Sequence, residues 1–128
     1  QMLGYGLQPN VVSYSATISA CEKAGQFKLA LMLLREMQTH GLEPNVITYN
    51  ATISACEKAS KFKMALRLLQ EMQSQDFQPD VTSYNAAISA CEKAGEHELA
   101  LQLLREIHVH GLQPTVVSYN SAISACEK

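Results

Sequence analysis

The sequence predicts an all-α fold, a right-handed α-solenoid of stacked helical hairpins. Two observations carry this. The chain repeats itself with a strict 35-residue period, and each period holds two segments whose apolar residues recur at helical spacing. ISACEKA stands at 18–24, 53–59 and 88–94, and ISACEK closes the chain at 123–128. Tyr14, Tyr49, Tyr84 and Tyr119 share a register, as do Pro9, Pro44, Pro79 and Pro114. The period divides the 128 residues into the end of a preceding repeat (1–10), three full repeats (11–45, 46–80, 81–115) and the first helix of a fourth (116–128).

The first helix of repeat one is expected over about 12–24. Tyr14, Ile18 and Cys21, spaced four and then three, form its apolar face. Two sets of residues compete to cap the first helices: the hydroxyls of Ser13, Thr48, Ser83 and Ser118, and the side chains of Asn10, Asn45 and Asp80. Gly25 and Gly95 suit the left-handed residue that ends such a helix, whereas repeat two carries Ser60 there and should be strained. The second helix is expected over about 27–40, with Phe27, Ala30, Leu31, Leu34 and Met37 on its apolar side. Gly41 and Gly111 stop it, and the proline three residues on prevents continuation. Repeat two has Asp76-Phe77 in place of Gly-Leu, which predicts a locally different helix end.

The order is therefore seven helices behind a short leading turn. One hairpin cannot bury its apolar face alone, and stacked hairpins bury a continuous core with one concave face. The first and last helices leave apolar surface uncovered, so end-to-end self-association is expected.

Composition fits this frame. Apolar residues make up 47 % of the chain, with no Trp, which suits a core of Leu, Ile, Ala and Met. Cys21, Cys56, Cys91 and Cys126 follow the repeat; they read as small buried apolar residues, since equivalent positions a repeat apart exceed the ~7 Å limit for a disulfide. No apolar run approaches the roughly 18 residues of a membrane span, so membrane insertion is not expected. The histidines at 40, 97, 108 and 110 do not share a helix face, and no metal or other cofactor is expected. Nucleophile–base pairs, phosphate-binding glycine loops and paired acids are missing from the sequence pattern, so it predicts no enzyme. A net charge of −2 excludes an indiscriminate nucleic-acid binder.

Each first helix also carries a polar row away from its core face: Ser15-Ser19-Glu22, Asn50-Ser54-Glu57, Asn85-Ser89-Glu92 and Asn120-Ser124-Glu127. Stacking aligns this row along the concave groove. A solvated face is the plain reading of such a row; an amide, carrying both donor and acceptor, is also able to match a base edge.

A 35-residue helical pair with V-x-[ST]-Y-N at its start, A-x-x-L-x-x-E-M in its second helix and G-L-x-P-[DN] at its end resembles the pentatricopeptide repeat family, over essentially the whole chain. The tetratricopeptide repeat is the near relative, but it has 34 residues and a Trp signature. The resemblance implies sequence-selective binding of single-stranded RNA at about one base per repeat. It implies that the fifth and last residues of each repeat face the base edge: Ser15 with Asn45, Asn50 with Asp80, Asn85 with Thr115, and Asn120 without a partner in this chain. It implies that Val12, Ile47, Thr82 and Val117 pack on the base planes. The implied site is 5′-A-U-pyrimidine-3′, and the implied location is a mitochondrion or chloroplast.

Lys23, Lys58, Lys93 and Lys128 recur eleven positions after the stacking residues, on the same helical side, where each ammonium is a candidate phosphate anchor. A lysine near a helix C-terminus also suits the helix dipole without any ligand. Repeat three, with two basic residues against Glu92, Glu96, Glu98 and Glu106, should be the weakest electrostatic contact. The alternative reading is a scaffold that grips proteins of a ribonucleoprotein or organellar complex, which the near-neutral charge favours.

Overall fold

The computed structural model describes residues 10–126. The expected leading turn, residues 1–10, falls almost wholly outside that range, and so does Lys128. The described residues form seven α-helices and no strand: α1 Val11–Ala24, α2 Phe27–Thr39, α3 Val46–Lys58, α4 Phe62–Ser74, α5 Val81–Lys93, α6 His97–Val109 and α7 Val116–Cys126. This is the expected α-solenoid. α1, α3, α5 and α7 pack side by side as one wall. α2, α4 and α6 pack only against the odd helices before and after them and do not meet one another through the backbone.

The wall is held by residues that the period repeats. Tyr14, Ile18 and Cys21 are buried, and so are Tyr49, Ile53, Cys56, Tyr84, Ile88 and Cys91. Ala55 and Ala90 are also fully buried; a methyl group there lets neighbouring odd helices approach closely. The even helices contribute Ala30, Leu34 and Met37, with Leu33, which the period-based reading had not placed inside. Two aligned positions depart from the pattern at α7. Tyr119 is 44 % exposed and Ile123 60 %, because no second helix covers α7 among the described residues. Cys126 is likewise exposed, contrary to its reading as a buried residue.

Each buried tyrosine keeps its hydroxyl bonded. Tyr14 donates to Glu36 at 2.7 Å, and Tyr49 donates to Glu71 at 2.8 Å. Tyr84 accepts from Gln73 at 3.3 Å. Glu71 also takes both guanidinium nitrogens of Arg35, at 2.7 and 2.9 Å, so this bidentate pair ties α2 to α4 across the gap between them. Burial first, and then the Glu36 carboxylate, push the Tyr14 hydroxyl up to about 12; burial first, and then Glu106, do the same at Tyr84. Burial and Glu71 raise Tyr49 further still.

The hairpin turns follow one design. Gly25 and Gly95 sit at φ +68° and +71°, and Ser60 adopts the same left-handed conformation at +61°. The strain expected at Ser60 is thus real, since a Cβ disfavours this region. The expectation of a different end for α4 is overturned. Asp76 takes φ +66°, close to Gly41 and Gly111, and Phe77 N–H bonds to Met72 C=O as Leu42 does to Met37. Asparagine and aspartate enter this conformation more readily than other residues with a Cβ.

Ser60→Gly should raise stability by about 0.5–1 kcal/mol by relieving the strained φ, measured by thermal or urea denaturation. Stability should also fall in alkali. Burial and nearby acids push the Tyr14 and Tyr84 hydroxyls from 10 up to about 12 on folding, and Tyr49 higher in the same direction, so the neutral form is favoured in the native state. That contribution is complete below pH 10 and is lost as pH rises from 10 towards 12. Melting temperature should drop over this window, and less steeply in Tyr49→Phe.

Candidate nucleic-acid interface

The candidate site begins with how the odd helices start. Asn10, Asn45 and Asp80 are the N-caps, each accepting from the backbone N–H three residues on: Ser13 at 2.8 Å, Thr48 at 3.0 Å and Ser83 at 3.0 Å. The competing hydroxyls take the complementary role. Thr48 and Ser83 reach back to the cap residue's own N–H, completing a capping box at α3 and α5. Thr115 and Ser118 make the same reciprocal bonds at α7, at 3.3 and 3.1 Å. Both groups of candidates therefore cap, in different ways.

These caps are also the last residues of the repeats, and the structure brings two of them onto the fifth residue before them. Asn50 Nδ2 donates to Asp80 Oδ1 at 3.1 Å, and Asn85 Nδ2 donates to Thr115 Oγ1 at 3.1 Å. A third residue joins each pair. Ser83 Oγ donates to Asn50 Oδ1, and Ser118 Oγ donates to Asn85 Oδ1. In repeat one Ser15 does not reach Asn45; its hydroxyl bonds to Thr48 Oγ1 at 3.1 Å, and Thr48 bonds to Asn45 at 2.9 Å. Thr48, Ser83 and Ser118 are fully buried hydroxyls that the sequence reading treated only as caps. Their signal was available: a polar residue held at the third place of every repeat, directly before the core tyrosine.

The network decides which way each amide points. A carboxylate only accepts, so Asp80 fixes Nδ2 of Asn50 towards itself and leaves Oδ1 to Ser83. Burial acts to raise the Asp80 pKa, but the Ser83 N–H and the Asn50 and Ser83 side chains outweigh it and hold the carboxyl below its usual range. Asp80 is therefore ionised at neutral pH. Its Oδ1 accepts from Asn50 Nδ2 and from the Ser83 N–H, while Oδ2 takes no side-chain bond among the described residues. Asn45 is similarly fixed: Oδ1 accepts from Thr48, and Nδ2 remains a free donor.

Beside these clusters the second residues of the odd helices stand out into solvent. Val12 is 76 % exposed, Ile47 66 % and Val117 57 %, and Thr82 is exposed too. Each lies three positions before the fifth residue, so the two share a helix face. Asn120 is exposed, with no side-chain hydrogen bond among the described residues. The lysine row lies farther along. Eleven residues at 1.5 Å rise put Lys23, Lys58 and Lys93 about 16 Å from the second residues along each helix axis. There Lys58 pairs with Glu22 at 3.1 Å and Lys93 with Glu57 at 2.6 Å. The rest of the polar row bridges repeats too: Ser54 donates to Glu22, Ser89 to Glu57 and Ser124 to Glu92, at 3.2, 3.3 and 3.2 Å.

Three family models match the chain: "Pentatricopeptide repeat domain" over residues 67–128, "PPR repeat family" over 9–58 and "PPR repeat" over 47–77. Among solved structures, the fold is similar to maize pentatricopeptide repeat protein PPR10, at 30 % identity and TM-score 0.84 over 94 % of this chain and 17 % of that one. It is similar to the same protein in complex with an 18-nucleotide psaJ RNA element, at 27 % identity and TM-score 0.83 over 94 % and 18 % of the two chains. The PPR domain of Arabidopsis thaliana protein-only RNase P 1, solved with tRNA, shares the fold at 21 % identity and TM-score 0.77 over 88 % and 60 % of the two chains. This chain thus spans less than a fifth of the length of the maize protein. Comparison with curated protein sequences gave no match.

Ser83→Ala removes a hydroxyl that serves Asn50, Asp80 and the start of α5 together. It should cost about 1–2 kcal/mol in denaturation experiments, with Ser83→Thr retaining most of the stability.

Proposed function

Because the chain belongs to the pentatricopeptide repeat family, we propose that it holds single-stranded RNA at about one base per repeat and selects the base at the capped starts of its odd helices. One observation carries this reading. The cap network leaves defined hydrogen-bonding groups of the base-facing pair unbonded in repeats one and two, beside an exposed side chain on which a base plane can pack.

The chemistry of those groups points to particular bases. In repeat two, Asp80 Oδ2 is an acceptor and the second proton on Asn50 Nδ2 is a donor. Uracil presents an N3–H donor between two carbonyl acceptors and satisfies both; cytosine presents an acceptor at N3 and meets the carboxylate with its lone pair. In repeat one, the free Asn45 Nδ2 donor suits N1 of adenine and opposes the N1–H of guanine, and Ser15 is short enough to leave room for a purine. In repeat three, Thr115 Oγ1 already accepts from Asn85 Nδ2 and from the Ser118 N–H, which leaves the second Asn85 Nδ2 proton as a donor that O2 of either pyrimidine can take. The proposed site is 5′-A-U-pyrimidine-3′, with Asn120 facing a further base. The proposed setting is a mitochondrion or chloroplast, where the chain serves RNA metabolism as a binding module within a longer array.

Asp80 is both a cap and a base reader, so removing it confounds stability with recognition. Asp80→Asn keeps the cap, since Asn and Asp cap equally well, and turns the Oδ2 acceptor into an N–H donor. Binding of fluorescent oligomers at fixed salt should show wild type favouring A-U-U over A-C-U by roughly tenfold, the scale of one base-edge contact. The variant should lose that preference or turn it towards cytosine. Equal binding of wild type to poly-A and to the A-U-U oligomer would sink base reading and favour the scaffold role.

A further inference from the structure

Lys58 and Lys93 do not stand free beside the groove. Among the described residues, Glu22, Lys58, Glu57 and Lys93 form an unbroken line of alternating charge along α1, α3 and α5: Lys58 Nζ lies 3.1 Å from Glu22 and 3.9 Å from Glu57, and Lys93 Nζ lies 2.6 Å from Glu57. Each rung is locked by further bonds. Ser54 donates to Glu22 and Ser89 to Glu57, and Lys93 also donates to the Glu57 carbonyl at 3.3 Å. The Glu57 side chain is only 14 % exposed, so its carboxylate is less screened by water than an ordinary surface acid. Lys23 makes no such pair among the described residues.

We propose that Glu22 and Glu57 are specificity-determining residues, which neutralise Lys58 and Lys93 in the free protein and so suppress binding to polyanions of arbitrary sequence. This rests on the reading of the groove as an RNA-binding face. A phosphate arriving at Lys58 or Lys93 meets an ammonium that already has a carboxylate partner. Its attraction is correspondingly small, and attachment must come from base contacts at the other end of the helix. Charge alone then holds nothing for long, and discrimination between sequences is preserved. Sequence-independent phosphate attraction raises every affinity together and dilutes selectivity.

The test is Glu22→Gln with Glu57→Gln in the 128-residue chain, a change that keeps an acceptor for each serine and lysine. Probes are the A-U-U oligomer, poly-A, poly-U and heparin, titrated across a range of salt. Binding to poly-A, poly-U and heparin should tighten by about fivefold or more at low salt, with the salt slope steepening by roughly 0.7 for each lysine freed. The preference for A-U-U should shrink. A charge-matched control, Glu43→Gln with Glu98→Gln, alters exposed acids that make no lysine contact and should gain much less. Equal gains in the control, or no gain in the test variant, overturn the proposal. If the double variant is unfolded by circular dichroism, reductive methylation of wild type serves instead: Lys23 should react faster than Lys58 and Lys93, and equal rates count against the pairing. The two readings fail separately. Heparin gain without any RNA preference in wild type removes base reading and leaves the charge device. Base preference in wild type with unchanged Gln variants does the reverse.

Discussion

Asn50, Asp80 and Ser83 share one hydrogen-bond network that starts a helix and joins two repeats at once. The network starts α5, since Asp80 caps the helix and Ser83 answers it. It joins two repeats, since Asn50 belongs to α3. It also leaves a carboxylate oxygen facing outward in a fixed orientation. A free N-cap satisfies orphaned N–H groups and no more; here the cap is held from a second helix, so its remaining valence acquires a direction. Under the proposed RNA-binding role, stability and recognition therefore draw on the same atoms.

The core allows such positioning because it repeats at short range. α1, α3 and α5 are each gripped through a buried tyrosine, isoleucine and cysteine, with buried Ala55 and Ala90 on α3 and α5. Close-packed interiors transmit small displacements, so the caps inherit the regularity of the wall. The even helices are looser partners. They lack direct backbone contact, and the Arg35–Glu71 pair supplies one cross-link between α2 and α4. Repeat two carries Gln70 where repeat one carries Arg35, so the link is not copied between α4 and α6. The outer layer is thus tied unevenly, while the inner layer is uniform.

Charge is arranged by the same economy. The chain is near neutral overall, yet its acids are not spread at random. Glu36 and Glu71 satisfy buried tyrosine hydroxyls, and Glu22 and Glu57 face the lysines of the following repeat. The polar row of the odd helices is therefore divided by function along its length. Its fifth residues face the caps, and its serines and glutamates stitch repeats together.

The sequence by itself determined the architecture, because a 35-residue period with apolar residues at helical spacing has one efficient way to bury its faces. It also marked Val12, Ile47, Thr82 and Val117, along with the fifth and last residues, through the family that the period and its motifs resemble. What it left open was partnership across repeats. Residues 33 to 36 apart in the chain, such as Asn50 with Ser83 and Glu57 with Lys93, become neighbours only when hairpins stack. Local spacing holds no information about such a pair. For the same reason the sequence left Asn and Ser as rival caps, placed Cys126 inside and expected α4 to end differently at Asp76. Capping geometry, the cover over α7 and backbone φ are settled by packing and by three-dimensional hydrogen-bond supply, and these belong to the tertiary structure alone.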